Sequence, residues 1–242
     1  MGVRWYASPD ARSAAEACAQ HLRARLEEAL AGREYATLAV SGGATPKLMF
    51  EALAGSRFDW NKIHLFWVDE RAVPPTDPNS NYRMVAESFL MPAKFPPRNV
   101  HRIHGEFRPE VAARCYATEI RDFFGLEEGE TPHFDVIHRG VGADGHTASL
   151  FPGEPLLEDR EGIAAAVYVE KLAQWRITLL PGVLLAAKHT VVLATGADKA
   201  EAVRAVFHES YDSRRYPAQM APPQGRGVAW FLDRAAAKLV GD

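Results

Sequence analysis

The residues VGADGHTASLFPG, at positions 141–153, place glycines, an acid and an imidazole within one short stretch. One glycine separates Asp144 from His146. A neutral histidine can take a proton from water near neutral pH, and a neighbouring carboxylate can fix its tautomer and raise its basicity. Thr147 and Ser149 could act as nucleophiles, but no G-x-S-x-G sequence surrounds them. The stretch therefore predicts a loop that presents His146 as a general base.

A second chemical pattern is SGGATP, at positions 41–46. Gly42 and Gly43 would let backbone amides approach a ligand closely, and the N–H groups at the start of the following helix carry partial positive charge. With Ser41 before them and Thr45 as the helix cap, the pattern predicts a phosphate cradle. The alternative is a simple turn between a strand and a helix, because the spacings of nucleotide-binding loops are absent.

Charged residues follow two further apolar segments. Asp69 and Arg71 come directly after the run IHLFWV, where an arginine could hold an oxyanion and an aspartate could orient a hydroxyl or an imidazole. Arg176 stands in QWRITLL, and Lys199 stands near a helix start, where an ammonium group opposes the helix dipole unless an anion lies between them. The alternative for each residue alone is an ordinary solvated surface charge.

These residues need elements that bring them together, and apolar strand patterns alternate with helical patterns along the chain. The alternation predicts one three-layer α/β domain over residues 1–242, with a mostly parallel, Rossmann-like sheet. Loops after strands then meet at one edge of the sheet, where ligands bind in such folds. The predicted strands are 3–7, 36–40, 63–68, 134–137, 167–169, 176–180, 190–196 and 228–232, and the predicted helices are 10–31, 46–54, 85–90, 109–124, 181–187, 198–207 and 234–239; residues 211–227 are predicted to form a surface loop.

Composition narrows the class of protein. Hydrophobic residues make up 47% of the 242 residues, enough for a substantial core, and the net charge of −3 argues against a broad nucleic-acid-binding face. Cys18 and Cys115 lie in helical patterns and are predicted to be buried, reduced thiols. His101 and His104 have the spacing of a weak metal pair without further ligands, so we expect no metal site. No apolar run is long enough to span a bilayer and no signal-peptide pattern precedes the first helix, which predicts a cytoplasmic protein that is not attached to a membrane.

Five segments together resemble the 6-phosphogluconolactonase family of sugar-phosphate enzymes. They are SGGATP, FWVDERAVPPTDPNSNY, GADGHTASLFPG, RITLL and TGADK, in the order typical of that family. The resemblance implies a fold like that of glucosamine-6-phosphate deaminase and ribose-5-phosphate isomerase. It further implies hydrolysis of 6-phosphoglucono-δ-lactone, a phosphosugar lactone, in the oxidative pentose phosphate pathway without a metal or organic cofactor. Protein partners are left open.

By the same resemblance, His146 corresponds to the family's catalytic histidine, and Asp69 and Arg71 to its acid–arginine pair. The phosphate-contacting groups correspond to the loop 41–45 together with Arg176 and Lys199. Either Asp144 or Asp69 would then orient the imidazole or the attacking water, and the sequence does not choose between them.

Two features depart from the family or leave room for a related activity. The strand before the histidine loop contains His138 and Arg139, which are expected to point toward the cleft rim or a helix because buried polar groups need partners. In glucosamine-6-phosphate deaminases the loop continues as FNEP and supplies a carboxylate, whereas this chain has Phe151 there, with Glu154 close by. A sugar-phosphate sensor without enzymatic activity is a third alternative, although no basic helix-turn-helix pattern lies outside the α/β body.

Overall fold

Parallel strands form the main sheet of the computed structural model, which describes residues 5–221 and 227–241. The strands in chain order are β1 (Trp5–Ser8), β2 (Ala36–Val40), β3 (Ile63–Trp67), β4 (Asp69–Arg71), β5 (Val100–His101), β6 (Val136–Arg139), β7 (Ala164–Val169), β8 (Gln174–Leu179), β9 (His189–Ala194) and β10 (Val228–Asp233). The main sheet has the order β1-β10-β9-β6-β2-β3-β5, and every pairing in it is parallel.

Both faces of this sheet are covered. All five residues of β2 are buried, as are all four of β6 and all six of β10, so successive side chains pointing to opposite faces are equally shielded from water. Parallel sheets need this covering because their crossover connections place helices on the two faces. The three-layer α/β/α fold class predicted from the sequence is therefore confirmed.

Helices connect the strands and supply the two outer layers. They are α1 (Ala11–Ala29), α2 (Ala44–Ala54), α3 (Asn81–Val85), α4 (Pro109–Phe124), α5 (Pro181–Ala186) and α6 (Ala200–His208), and α3 continues into one π-helical turn at Ala86–Leu90. In α1 the buried residues recur three and four positions apart, which is the spacing that presents one apolar stripe to the sheet. No helix in the described ranges has the length and apolar character that crossing a bilayer requires.

A second, smaller sheet stands beside the main one and was not predicted. Its order is β4-β8-β7 and both pairings are antiparallel. The chain passes from one sheet to the other at Val68, whose N–H donates to Val40 in the main sheet and whose carbonyl accepts from Leu179 at the end of β8. The segment DER, which follows the predicted strand 63–68, therefore forms strand β4, and its pairing with β8 fixes the face on which each side chain lies.

Two predicted segments near the C-terminus differ from the structure. Residues 234–239 form turns rather than a helix, although Asp233 accepts from the backbone N–H of Ala236 as a helix N-cap does. One helix-type bond, from Ala237 N–H to Asp233 O, is followed by a tighter turn from Val240 N–H to Ala237 O. Within the predicted surface loop, Pro217–Met220 is a buried 3-10 helix, held by the Gln219 amide, which donates to the carbonyls of Ala205 and Ser210. The loop's residues 222–226 lie outside the described ranges.

The two cysteines differ in their surroundings. Both are unpaired thiols, and Cys18 is completely buried on α1, where burial raises its pKa. Cys115 is exposed on α4, so the prediction that both are buried is wrong for this residue. Its neighbour Tyr116 takes the inward position of that helical turn and exchanges two hydrogen bonds with the backbone of Trp67 in β3, at 2.7 and 2.8 Å.

Candidate active site

Two adjoining pockets lie beyond the carboxyl ends of β2, β6 and β9. The first, which we call the His146 pocket, has a volume of about 110 Å³ and is lined by Ser41, Gly42, Asp69, Arg71, Asn81, Gly140, Val141, His146, Ala148 and Arg176. The second, the Lys199 pocket, has a volume of about 350 Å³ and is lined by Gly42, Gly43, Ala44, Thr45, Pro46, Gly140, Val141, Leu193, Ala194, Thr195, Asp198 and Lys199.

The two pockets form one continuous cleft because Gly42, Gly140 and Val141 line both of them. Small-molecule sites usually have volumes of about 300–1,000 Å³, so the His146 pocket alone is too small for a typical ligand. The cleft as a whole, rather than the His146 pocket alone, has the size of a small-molecule site. Except for Asp144, every site residue predicted from the sequence lines one of the two pockets.

The His146 side chain is part of a carboxylate–imidazole pair. Its Nδ1 lies 2.6 Å from Asp144 Oδ1, and its backbone N–H donates to the same oxygen at 3.1 Å. An ionised carboxylate only accepts, so Nδ1 carries the proton and Nε2 is left as the proton acceptor. Burial alone raises the pKa of Asp144, but hydrogen bonds from His146 and Lys171 outweigh it and hold that pKa well below its usual value. Asp144, and not Asp69, is thus the carboxylate that contacts the imidazole.

In the loop that carries this pair, the side chains of Asp144 and His146 lie very close to the backbone of Gly142. A Cβ atom on Gly142 would lie 1.9 Å from His146 Nδ1 and 2.6 Å from Asp144 Oδ1, so the pair can form only against a glycine. Gly145 has φ +81° and Ala148 has φ +55°, both in the left-handed region, and the strain at a residue other than glycine is typical of functional loops. The ring of Phe151 packs against the imidazole with a centroid separation of 4.2 Å.

Strand pairing in the small sheet brings a second group of charges to the His146 pocket. Asp69 is paired with Thr178, and Arg71 is paired with Arg176, across β4 and β8. Paired residues in an antiparallel ladder share one face, and so do residues two apart on a strand, which places Asp69, Arg71 and Arg176 together. Arg176 Nη1 lies 4.0 Å from Asp69 Oδ2. Burial lowers the pKa of the Arg176 guanidinium, and the Asp69 carboxylate partly opposes this change.

Glu70, which the sequence reading passed over, faces the opposite side of β4 and holds a neighbouring turn. Its carboxylate accepts from the backbone N–H groups of Arg71, Asn81 and Tyr82 at 2.7–2.8 Å and from the Ser80 hydroxyl at 3.0 Å. Burial raises the pKa of Glu70, and these hydrogen bonds oppose the rise. The signal in the sequence was the polar cluster NSNY only about ten positions after the acid.

Three donors of the His146 pocket are buried without a hydrogen-bond partner among the described residues. They are Ser41 Oγ, Arg71 Nε and Arg176 Nε. Ser41 is 5% exposed, and its N–H is already used in a bond to His138 in β6. Buried donors normally find acceptors, and orphaned ones in a cleft indicate where an external acceptor binds. The three donors together suit a ligand with several oxygen atoms.

The Lys199 pocket is built mainly from backbone. Gly43, with φ +128°, precedes the start of α2, so the free N–H groups at the beginning of that helix open onto the pocket. Thr45 does not cap the helix as predicted, because its Oγ1 lies 2.6 Å from Thr195 Oγ1 and joins the ends of two β–α loops. Lys199 pairs with the more exposed Asp198 at 2.9 Å, and its own side chain is 25% exposed.

The hydroxyl residues of the histidine loop are not placed for covalent catalysis. Ser149 is fully buried and donates to Asp69 Oδ2 at 2.7 Å, and Thr147 is 2% exposed and donates to Gly140 O at 2.9 Å. Both hydroxyls anchor the loop to the strands beneath it.

His138 and Arg139, which were expected to point toward the cleft rim or a helix, line neither pocket. His138 is completely buried, and neither ring nitrogen has a hydrogen-bond partner in the described part of the chain. Burial lowers its pKa to about 3, so the ring stays neutral and packs as an apolar group near Phe50. Arg139 is 1% exposed and donates one bond, to Met220 O at 3.1 Å, while its Nε and Nη1 have no partner among the described residues. Both side chains thus point toward helices, α2 and the 3-10 helix Pro217–Met220, which was the second expected direction. The expectation of hydrogen-bond partners fails for His138 and holds for one donor of Arg139 among the described residues.

The described ranges contain no group of three or more histidine, cysteine or acidic side chains placed to hold a metal ion. His101 instead lies between His64, at 2.9 Å, and Glu119, at 2.8 Å. His104 faces Glu106 at 3.3 Å.

Comparison with known proteins covers most of the chain. The family model for glucosamine-6-phosphate isomerases and 6-phosphogluconolactonase matches residues 9–230. The chain belongs to this family. That match spans every strand from β2 to β9 and all the residues that line the two pockets.

Similar proteins include a 6-phosphogluconolactonase from Synechocystis, which is 40% identical over 213 residues that cover 88% of each chain. Among solved structures, a 6-phosphogluconolactonase from Shewanella baltica superposes with a TM-score of 0.85 at 27% identity, covering 96% of this chain and 98% of its own. A monomeric glucosamine-6-phosphate deaminase has the same fold, with a TM-score of 0.81 at 21% identity and coverage of 98% and 99%.

Proposed function

We propose that this family member hydrolyses 6-phospho-D-glucono-1,5-lactone to 6-phospho-D-gluconate. The observation that carries the proposal is the cleft itself, in which a paired imidazole and three unpartnered donors adjoin a pocket of helix N–H groups and one lysine. Relatives that carry the 6-phosphogluconolactonase name cover most of this chain at 34–40% identity. The reaction is that of a carboxylic ester hydrolase acting on a lactone.

His146 acts as the general base in this proposal. A lactone is an activated ester, so water can attack C1 directly once Nε2 of His146 removes its proton. The tetrahedral intermediate then collapses, the bond between C1 and the ring oxygen breaks, and His146 returns the proton to that oxygen. Asp144 keeps Nδ1 protonated and stabilises the imidazolium that forms during the reaction.

Stabilisation of the oxyanion and binding of the phosphate fall to the two arginines, Lys199 and the Gly-rich loop. Arg71 and Asp69 line the pocket around the reacting carbonyl, where the guanidinium stabilises the developing oxyanion. Arg176, Lys199 and the loop 41–45, through Ser41, Gly42, Gly43 and Thr45, bind the phosphate and so hold C1 at the histidine. No metal or organic cofactor is part of this proposal.

Ammonia-releasing deamination of glucosamine 6-phosphate is the related reaction that this cleft does not favour. The deaminase loop carries an acid where this chain has Phe151, and that ring lies against the imidazole at 4.2 Å. Glu154, the nearest alternative acid in sequence, lines neither pocket. An apolar ring beside the base provides no group for opening a sugar ring.

The experiment follows the decay of freshly generated 6-phosphoglucono-δ-lactone with and without the protein, since the lactone also hydrolyses unaided. We expect decay that increases in proportion to protein concentration and forms 6-phosphogluconate. A protein that binds the phosphosugar without accelerating its hydrolysis would be a sensor. Release of ammonia from glucosamine 6-phosphate would identify a deaminase.

The cellular setting is also part of the proposal. The unpaired thiols of Cys18 and Cys115 are compatible with a reducing compartment, and we propose the cytoplasm. The net charge of −3 gives no support to nucleic-acid binding. Fractionation of cells that produce the tagged protein would test the location.

A further inference from the structure

Lys171 contacts the catalytic pair from a separate element. It lies in the turn Glu170–Leu172, between β7 and β8, and its Nζ contacts Asp144 Oδ2. The other oxygen of the same carboxylate, Oδ1, accepts from His146. Asp144 is therefore shared between an imidazole and an ammonium group, one on each oxygen.

A second residue also bridges Lys171 and His146. The Lys171 ammonium lies 4.3 Å from the centre of the Phe151 ring, and the His146 ring centre lies 4.2 Å from it. A cation over an aromatic face is attracted by the ring, which adds to the ion pair in fixing the lysine. Two independent contacts thus hold Lys171 at the catalytic pair, although half of its side chain is exposed.

We propose that Lys171 is a positioning residue that fixes the Asp144 carboxylate for His146 and keeps the imidazole in its neutral, proton-accepting form. The inference rests on the proposed function, because it takes His146 as the base. A bare aspartate hydrogen-bonded to an imidazole favours the imidazolium, and a histidine that is already protonated cannot accept a proton from water. The positive charge of Lys171 offsets that effect without removing the hydrogen bond that sets the tautomer.

Three other charged side chains, Asp69, Arg71 and Arg176, line the His146 pocket, and each contacts a partner other than Asp144. On the strands packed against the loop, Asp69 pairs with Arg176, and Arg71 donates to the backbone of Asn79. From the chain after α6, Tyr216 packs at Gly145. Among these charged side chains, Lys171 is the one that contacts Asp144, whose carboxylate is hydrogen-bonded to the His146 ring.

Titration of His146 tests the proposal without any need for substrate. The imidazole signals are followed by NMR against pH in the parent protein, in Lys171→Met and in Lys171→Arg, and His146→Ala assigns the resonance. Loss of the positive charge in Lys171→Met is expected to raise the pKa of His146 by roughly 0.5–1 unit, whereas Lys171→Arg keeps it near the parent value. Lys62→Met is the matched control, because it removes the same charge from an exposed position before β3, at the opposite edge of the sheet.

Kinetics provide a second readout. The acid limb of the kcat/KM profile should move to higher pH in Lys171→Met by the same amount as the NMR titration, with activity recovered at higher pH. Lys171→Gln replaces Lys171→Met if the latter does not fold. An unchanged His146 titration in both neutral variants, or an equal shift in Lys62→Met, would overturn the proposal. Absence of lactone hydrolysis by the parent protein would instead contradict the proposed function, and the NMR comparison would still test Lys171.

Discussion

The His146 pocket and the Lys199 pocket share a wall but are built in different ways. The first is lined by side chains that strand pairing and hydrogen bonds hold in place, such as Asp69, Arg71 and His146, which is hydrogen-bonded to Asp144. The second consists of loop backbone, helix N–H groups and one lysine whose visible partner is its exposed neighbour. A rigid set of side chains suits bond making, whereas backbone amides and a cation suit the binding of an anion. Changes at Asp69, Arg71 and His146 should therefore reduce kcat, and changes in the second pocket should raise KM.

The largest effect should come from the base itself. His146→Ala is expected to lower kcat by roughly 10²–10⁴-fold with a small change in KM, because a general base contributes about that much to proton transfer. Stopped-flow measurement of lactone decay, corrected for the unaided reaction, gives both constants. A variant with near-parental turnover would show that His146 is not the general base. It would also contradict the assignment of catalysis to the first pocket and of binding to the second.

Gly142→Ala tests whether the geometry of the pair matters apart from its chemistry. The new Cβ would overlap His146 Nδ1, at 1.9 Å, so the ring must move. A displacement of about 1 Å costs on the order of 10²-fold in kcat. Gly55→Ala is the matched control, since a Cβ there meets nothing closer than 3.7 Å and the backbone φ is −75°. Equal kinetics in the two variants would show that the tight fit at Gly142 is not needed.

Lys199→Ala should act on binding. Removing one cation from a phosphate site is expected to raise KM by roughly tenfold while kcat falls by less than about threefold, because the lysine holds the ground state and the transition state alike. Steady-state kinetics with the phosphorylated lactone measure both values. A variant that loses kcat as severely as His146→Ala would contradict the separation of the pockets.

The smallest effect on activity is expected at His138, beneath both pockets on β6. The folded-state pKa of about 3 lies below the usual 6.5, so the unfolded chain binds more protons and stability falls as the pH drops from about 6.5 toward 3. His138→Leu removes that proton linkage together with a buried, unpartnered polar group, and we expect about 1 kcal/mol of added stability at pH 7.

Urea unfolding of the parent and of His138→Leu at pH 7 and pH 5 measures this effect, with the gap widening at the lower pH. Kinetic constants at pH 8 should agree within about twofold, since the side chain lines neither pocket. A gap that narrows on acidification would mean that the ring is charged, and hence partnered, in the folded state.

The sequence predicted those parts of the molecule that depend on local pattern. The alternation of apolar strands and amphipathic helices was enough for the fold class, and strand-end loops were the right place for a site because parallel strands end at one edge. Strand β2 and helix α4 have the predicted bounds, since each is bordered by clear signals, such as Pro109 at the start of α4 and Gly125 after its end.

The errors lie where non-local contacts decide the structure. Nothing in DER signals that the chain changes sheets at Val68 to pair with β8. The strand partner of Asp69 is Thr178, which lies 109 positions later in the sequence. The complete burial of the His138 side chain and the contact of Lys171 with Asp144 likewise depend on elements that are distant in sequence. The roles of the individual site residues and the single-domain organisation over residues 1–242 stay predictions.

The most direct test of the whole account compares the phosphorylated lactone with unphosphorylated glucono-δ-lactone, using the parent protein and Lys199→Ala. If one substrate spans both pockets, the parent should strongly prefer the phosphorylated lactone in kcat/KM. Lys199→Ala should lose most of that preference while hydrolysing the unphosphorylated lactone at the parental rate. An equal loss of kcat/KM for both substrates, or a parent protein without any preference, would contradict the claim that the Lys199 pocket anchors what His146 cleaves.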